Sequence, residues 1–560
     1  MISLNNSTFS NNSVVGAADT TTDGGAIWNS GTVRFVGTNT FSGNTSSTGT
    51  VLSKNDIYNS GTINISDNSV LSISGGITGM NGTLVVGDDA TLQLNDATIS
   101  GNSVTMSDGA TLSMLLHSNK AGMPIDGNVI LNGNSNLNLS VLFDGGTSGV
   151  QSYAISKSID TTNGDWTLGA ITNALYDISA TLTDARNVVE LSYERKSVSD
   201  IASSLNIDNS DANMLVAVLN PSDSNSDFNA LSQDFVRAAQ SGDRFMGRSL
   251  SVLKDSAVAT TNILTRHANN LANVIQSTRF SGDGVGRSGG DALKTDINVW
   301  ARGMYLSAKD RGNSGFLSNG VGGIIGADAM VNDALTVGVA YSFSQTDVDS
   351  TGRDLEMKSH NLIAYGQYHY NDWVYDAMAM YGVSDIDQNK SVLSYTIDAE
   401  YDTDVLGGQI SVGRRFAVDM TDSSINILPR LGLRYYHVSQ DEYTDTYGIT
   451  YSSDSSDILT AVAGTRVEGG IQFGDTAIQQ KAYVNATYDV LADGSDMLIQ
   501  LPNANVLAID GELGARFGIE LGYGVSFDLS DSCSVGVNYE FDIRSEYTSH
   551  MVGATLQYLF

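Results

Sequence analysis

The side chains able to do covalent chemistry are few in this sequence and far apart. Gly286-Arg287-Ser288-Gly289-Gly290 has the Gly-x-Ser-x-Gly spacing of a nucleophile elbow. That motif needs a strand-to-helix turn to expose its serine, whereas this one sits in a glycine-rich stretch with Gly282 and Gly284, so no ester-cleaving chemistry follows. The histidines, His117, His267, His360, His369, His437 and His550, are scattered, and His360 and His369 fall on opposite faces of one extended run. No H-E-x-x-H, cysteine pair or phosphate-cradling glycine loop occurs, and Cys533 is the sole cysteine. Asp88-Asp89 could in principle hydrolyse a glycan, a reaction that takes two carboxylates flanking the scissile bond, but they occupy a turn without companions. The residues point to a chain that is not an enzyme and that needs no cofactor and no metal.

Composition sets the class. The formal net charge is −33, from 29 basic and 62 acidic residues, which argues against nucleic acid as a partner. Hydrophobic residues make up 41% of the chain, yet no segment approaches the roughly 18 consecutive apolar residues of a spanning helix. With 58 glycines and 4 prolines, a repetitive, disulfide-free β protein fits best. The start, Met1-Ile2-Ser3-Leu4-Asn5-Asn6, has neither the basic nor the apolar region of a signal peptide, so an exported protein would be represented here by a fragment or from a displaced start.

Residues 1–150 are rich in Asn, Ser, Thr and Gly, with Arg34, Lys54 and Lys120 as their basic residues and no Glu. Short apolar triplets recur along them, which favours repeats over disorder. Trp28-Asn29-Ser30-Gly31-Thr32-Val33-Arg34-Phe35 returns as Tyr58-Asn59-Ser60-Gly61-Thr62-Ile63-Asn64-Ile65, and Gly82-Thr83-Leu84-Val85-Val86 is a third copy. Each unit is a glycine turn and a short alternating strand, too small to bury its apolar face except against copies of itself. The expected fold is a right-handed parallel β-helix over residues 1–197, closed by a last strand from Asn187 to Tyr193.

Helical spacing takes over in residues 198–290, over Asp211–Leu219, Phe228–Gln240 and a long run from Gly247 to Arg279. One continuous helix there would reach roughly 50 Å, enough to traverse an outer membrane. It carries Arg248, Lys254, Arg266 and Arg279 against Asp255, so a basic rod precedes the most acidic part of the chain. Residues 291–560 contain 37 acidic and 15 basic residues and 20 of the 24 tyrosines, in long alternating runs. About twelve strands of spanning length begin near Ile297, Phe316, Leu335, Leu355, Val374, Tyr395, Ile425, Asp457, Ala477, Glu512, Cys533 and His550, an even number suited to a transmembrane barrel. Charges in such a wall must face the lumen or the loops. Opposite charge would then let the barrel hold Arg248, Lys254 and Arg266 of the rod, with Arg414, Arg415 and Arg466 as lumen-facing bases, while Asp398–Asp404 and Asp441–Asp457 solvate loops. In the last strand Val552, Ala554, Leu556, Tyr558 and Phe560 share one apolar face, which suits lipid and a membrane interface.

That ending resembles the C-terminal assembly signal of bacterial outer-membrane barrels. Trp300-Ala301-Arg302-Gly303, Leu428-Pro429-Arg430-Leu431-Gly432-Leu433-Arg434-Tyr435 and Leu513-Gly514-Ala515-Arg516-Phe517-Gly518 resemble autotransporter barrel blocks. Gly24-Gly25-Ala26-Ile27, Phe9-Ser10-Asn11-Asn12 and Phe41-Ser42-Gly43-Asn44 resemble the repeats of polymorphic outer-membrane proteins and related autotransporter passengers. The resemblance to autotransporters (type V secretion) implies a β-helical passenger, a helix threaded through the lumen and a 12-stranded antiparallel translocator barrel. It also implies outer-membrane lipid and the barrel assembly machinery as partners, with the passenger at the cell surface, adhesive or displayed there. A glycan-active passenger and a solute pore are the alternatives. Asn269-Asn270-Leu271-Ala272-Asn273 resembles the linker of self-cleaving family members, in which the first Asn attacks its own carbonyl; by that resemblance Asn269 and Asn270 flank a candidate cut, although the basic residues that follow the family's motif are missing.

Overall fold

The computed structural model describes residues 1–16, 22–48, 51–118, 122–143, 148–220, 222, 225–243, 245–254, 257–279, 297–312, 315–420, 423–473, 476–492, 494, 496–511, 514–530 and 532–560. The Gly-x-Ser-x-Gly stretch and Glu512 lie outside them. The chain divides into two compact units, Met1–Pro221 with Ala230–Arg244, and Ser222–Asn229 with Phe245–Phe560.

The first unit is a parallel β-helix. Thr32, Thr62, Thr83 and Ser103 stand in register on successive coils of one sheet, and Thr38, Val70, Thr91 and Thr111 on the other. Alternation then sends every second residue inward, so Val33, Ile63, Leu84, Val104 and Val129 form one fully buried column and Phe35, Ile65, Val86, Met106 and Leu131 the next. The polar repeat residues build ladders in the turns. Asn29 Nδ2 donates to Asn59 Oδ1 at 2.7 Å and Asn59 Nδ2 to Asn102 Oδ1 at 2.8 Å. The coil between Asn59 and Asn102 contributes Gly82 at this place, and a Cβ there would strike both asparagine side chains. The second Asn of the Phe-x-x-Asn repeats does similar work: Asn44 Oδ1 accepts from Asn12 N at 3.0 Å and from Asn12 Nδ2 at 2.8 Å, while Phe9 stacks on Phe41 at 4.7 Å.

The end of the β-helix departs from the expected coil. Asn187–Tyr193 does not stack in parallel; Val188–Arg195 is the middle strand of an antiparallel sheet with Ser148–Ala154 and Tyr176–Thr183. The cause is local, because Asp184, Ala185 and Arg186 all have positive φ and turn the chain straight back on itself. Helices α1 (Val198–Leu205) and α2 (Asn209–Val218) follow, capped by the side chains of Ser197 and Asp208. Next in the chain come α3 (Ser226–Ser241), α4 (Met246–Lys254) and α5 (Ala257–Arg279). The single long helix expected from Gly247 to Arg279 is thus two, with residues 255–256 between them outside the described residues.

The rest of the second unit is a closed antiparallel barrel of twelve staves: β1 (Ile297–Asp310), β2 (Phe316–Asn332), β3 (Leu335–Ser350), β4 (Arg353–Tyr370), β5 (Trp373–Val392), β6 (Tyr395–Arg414), β7 (Ser423–Gln440), β8 (Ser456–Phe473), β9 (Thr476–Ala492), β10 (Phe517–Ser530), β11 (Cys533–Arg544) and β12 (Tyr547–Leu559). Neighbours in sequence pair, and β1 closes the ring on β12 from Asn298 opposite Leu559 to Asp310 opposite Tyr547. The tenth strand begins at Phe517 rather than near Glu512, and the described residues between Ala492 and Phe517 hold the short strands Met497–Gln500 and Val506–Ile509. These pair with Tyr443–Thr444 and Thr450–Ser453 of loop 441–455, so the two long loops share one small sheet at the same end of the barrel. The opposite end holds Ile297, Phe560 and short turns; that asymmetry makes it the periplasmic end of an outer-membrane barrel.

The outer surface shows where hydrocarbon would stop. Toward the long-loop end the hydroxyls of Tyr305, Tyr381 and Tyr435 donate to Asn319, Asp404 and Asp457 on adjoining strands at 3.1, 2.8 and 2.6 Å. Those of Tyr341 and Tyr539 hydrogen-bond with Nδ1 of His360 and His550 at 2.6 and 2.7 Å. Near the short turns Tyr368, Tyr370, Trp373, Tyr375, Tyr558 and Phe560 are exposed. Two aromatic belts flanking an apolar band are what a bilayer demands. Asp398–Asp404, expected in a loop, lies within β6, whose length carries it past the Tyr381–Asp404 pair.

If Gly82 keeps the asparagine ladder continuous, Gly82→Ala should weaken the β-helix by about 1–3 kcal/mol, the cost of leaving buried amides unpaired. The midpoint of the urea transition of the β-helix, followed by far-ultraviolet circular dichroism, measures it, and an unchanged midpoint would contradict the ladder's role.

Candidate functional site: the filled lumen

Strand parity decides what fills the barrel. On each stave one set of alternate residues faces out, and the other set places long polar side chains inward: Arg302 on β1, Gln409 on β6, Arg430 and Arg434 on β7, Asn485 and Asp489 on β9, Glu520 on β10, Glu540 and Arg544 on β11, all buried. No helix among the described residues is long and apolar enough to cross a membrane. The amide-rich α5 instead runs through the lumen. Its first turns lie toward the long loops, where Thr260 Oγ1 is 3.1 Å from the Tyr401 hydroxyl, and its last turn lies toward the short-turn end, where Lys481 Nζ donates to the Ser277 carbonyl at 3.0 Å.

Arg434 is the centre of the network. Its guanidinium meets Glu520 in two parallel contacts, Nη1 to Oε1 at 2.5 Å and Nη2 to Oε2 at 3.0 Å, with side chains 0% and 2% exposed. Its remaining donors reach Gln409 at 2.7 Å, Asn273 at 2.8 Å and Asn269 at 3.4 Å. Glu520 in turn accepts from Asn485 at 3.1 Å and Asn273 at 3.3 Å. Arg430 donates to Asn485 at 3.0 Å and to Gln276 of the helix. One turn on, Arg302 bonds Glu540 at 2.9 Å and Ser277 Oγ at 3.1 Å. Two buried ion pairs therefore bracket one face of α5, and the helix offers them neutral amide and hydroxyl groups. Such pairs cost several kcal/mol to desolvate, and Arg434 offsets that cost with all three guanidinium nitrogens hydrogen-bonded, whereas Arg302 bonds through Nη1 and Nη2.

The arrangement reverses the expected charge pattern in most contacts, since the barrel supplies the arginines. Arg266 is buried, with its guanidinium 4.0 Å from Asp489 and 5.6 Å from the Tyr547 ring; Asp489 is bonded more closely by Arg544, at 2.6 Å. Arg248 and Lys254 lie on α4 at the long-loop mouth, Arg248 exposed and Lys254 half-buried, where Ser249 Oγ accepts from Leu393 N at 3.0 Å and Val252 packs beside Gly352. Arg466 faces the lumen near Glu468 at 3.6 Å. Arg414 does not: it is on the outer surface over Trp373 and Phe416, because the last residue of β6 has the parity of the lipid face. Val552, Ala554, Leu556, Tyr558 and Phe560 are all exposed on the outside of β12. Asn269 and Asn270 are buried, and Asn269 is held by Arg434 as described. Sequence reasoning quoted Arg302, Arg430 and Arg434 within motifs but gave them no role; their spacing at alternate positions of lumen-facing parity was the signal available.

Among the described residues the paired acids Asp88 and Asp89 gather no partners for a reaction. Asp88 and Asp89 serve stacked turns, with Asp88 N donating to Asp67 Oδ1 at 3.1 Å and Asp89 N to the Asp108 carbonyl at 3.1 Å. No group of three or more metal-ligating side chains occurs among the described residues.

Removing one partner of the central pair should be worse than removing both. Glu520→Ala leaves Arg434 buried without its carboxylate and should destabilise the barrel by about 3–5 kcal/mol, whereas Arg434→Met with Glu520→Leu should cost clearly less. Heat-modifiable electrophoretic mobility against temperature gives the comparison; equal losses would remove Arg434 from the centre of the network.

Residues 299–540 match the family model described as Autotransporter beta-domain. The chain is similar to Outer membrane protein A of Rickettsia conorii, 24% identical over 284 residues, covering 46% of this chain and 14% of that protein. It is also similar to Outer membrane protein B of Rickettsia prowazekii, 22% identical over 536 residues, covering 89% of this chain and 31% of that protein. The chain thus spans less than a third of either relative's length. Among solved structures, the translocator domain of autotransporter NalP from Neisseria meningitidis aligns at 15% identity with a TM-score of 0.41, over 54% of this chain and 98% of that one. Residues 299–540, which match the Autotransporter beta-domain model, form most of the closed twelve-stave antiparallel barrel of this chain with its two aromatic belts, so this part of the chain is similar to that family in sequence.

Proposed function

We propose that the barrel anchors and translocates the β-helix that precedes it, leaving α5 in the lumen once the passenger is outside. The observation that carries this reading is the helix itself: a polar segment between the β-helix and the barrel is seated inside that barrel by hydrogen bonds to seven staves. Transport needs no nucleotide, because each emerging coil buries its apolar face on the one before it and so resists return. The passenger is read as a surface display or adhesive element, non-enzymatic, whose Asn, Ser and Thr faces suit weak multivalent contact. The bond between Asn269 and Asn270 is the candidate for release.

Intact cells expressing the full chain behind an export signal should lose the portion up to Arg195 to added protease and keep a heat-modifiable C-terminal core. A passenger that stays protected would contradict translocation. In planar bilayers the intact chain should show little conductance and a variant lacking residues 257–279 a large one; a wide channel with α5 in place would support a solute pore instead. Intact mass of the outer-membrane form decides release, since an uncut chain rules out cleavage between Asn269 and Asn270.

A further inference from the structure

The outer wall of the barrel is indented. Across β3 to β10 it carries a groove of about 990 Å³ lined almost wholly by apolar atoms, as large as a small-molecule pocket. Its floor follows one hydrogen-bonded row, in which Val412 faces Leu431, Leu431 faces Ala463 and Ala463 faces Ala486. Tyr368 and Tyr375 stand at one flank, Tyr488 and Phe517 at the other. Small outward side chains deepen it, and on the same staves the lumen-facing Gly407 and Gly464 make room for neighbouring wall side chains, since a Cβ at either would strike Tyr436 or Asn485. On the lumen side of this wall lies α5, with Ala272, Ile275 and Gln276 closing over Asp376, Ala377 and Gln409.

The occupant follows from where the groove lies. It sits between the two aromatic belts, so hydrocarbon surrounds it. At its short-turn end stands Arg414, two residues beyond Val412 on the same face of β6 and half-exposed. Its guanidinium lies 6.0 Å from the Trp373 ring and 5.3 Å from the Phe416 ring, and its acid neighbour, Asp372, is 3.5 Å away and itself largely exposed. A cation placed at the interface directly below a greasy channel matches the head and tails of a phospholipid. At the opposite end Arg516 contacts the Val490 carbonyl at 3.5 Å. We infer that this groove seats the acyl chains of one phospholipid of the periplasmic leaflet, with its phosphate on Arg414, and that the seated lipid backs the wall on which α5 rests. The inference depends on the outer-membrane barrel and not on what the passenger does.

The test is native mass spectrometry of the full chain extracted in mild detergent and re-exposed to phosphatidylethanolamine and phosphatidylglycerol vesicles. The unaltered protein should hold one phospholipid through washing. Ala463→Phe and Ala486→Phe, which fill the groove, should abolish the adduct, and Arg414→Gln should reduce its retention about tenfold, the loss of one charge-assisted contact. Ala301→Phe, an equal addition to the outer face of β1, should leave it intact. Heat-modifiable mobility shows which variants still close, and only those are scored. Retention by closed Ala463→Phe barrels, a protein dimer in place of the lipid adduct, loss on Arg516→Gln but not Arg414→Gln, or no adduct in the unaltered protein would each overturn the assignment.

Discussion

Within hydrocarbon a backbone amide has no water to bond, so a sheet can cross a membrane only if it has no edge. Everything in the second unit depends on the thirteen register pairs between β1 and β12 that remove the last edge. Closure fixes parity: once Leu556 faces lipid opposite Ala301, every neighbouring stave must alternate in step. A single-residue slip would turn Arg302, Arg434 and Glu520 out into the membrane. The lumen network is therefore a consequence of closure and also a guard on its register, since burying those charges is tolerable only when they meet each other.

A twelve-stave cylinder without the helix would leave a water-filled bore. The chain fills it with α5, and the chemistry of the fit is asymmetric. The charged partners lie on the wall and pair mainly within it, while the helix offers Asn269, Asn273, Gln276 and Ser277. A neutral, hydrogen-bonding helix can be held firmly in place without the strong electrostatic trap that a highly charged rod would meet while moving. The long-loop end adds a second hold. There Tyr401, Tyr443 and Tyr451 stack, Lys390 lies 4.0 Å from the Tyr451 ring, and Asn225 Nδ2 donates to the Tyr447 carbonyl at 2.9 Å, tying the segment Ser222–Asn229 to the loop sheet.

The β-helix solves a different problem with the same period-two alternation. Its coils are individually too small to be stable and its turns are polar, so the apolar columns supply cohesion and the asparagine ladders fix register. Gly82 shows how specific that register is: the glycine exists to let Asn59 reach Asn102 across an intervening coil. The Phe-x-x-Asn and Gly-Gly-Ala-Ile repeats, which would pass for recognition motifs, are absorbed by the turns they build, as Gly25 N donating to the Asn55 carbonyl at 3.0 Å and Asn44 bridging Asn12 and Asp56 show.

Sequence alone determined the periodic features. Alternation from Ile297 onward located the staves and their even number, the thirty-residue return of Trp28 at Tyr58 revealed the solenoid, and the apolar face of Val552 to Phe560 assigned itself to lipid, because period and burial are tied by backbone geometry. What the tertiary structure decided was everything set by pairing across distance. Arg434 and Glu520 are 86 residues apart in the chain, so nothing local joins them. Arg414 was assigned to the lumen although its parity at the end of β6 turns it outward, and the helix was read as the basic partner although the wall holds most of the charge. The closing strand expected at Asn187–Tyr193 is present as Val188–Arg195, but its antiparallel pairing is set by the left-handed residues Asp184, Ala185 and Arg186, which fold it back. A side chain's partner is fixed by register and closure, which are properties of the assembled sheet and leave no mark in a local window of sequence.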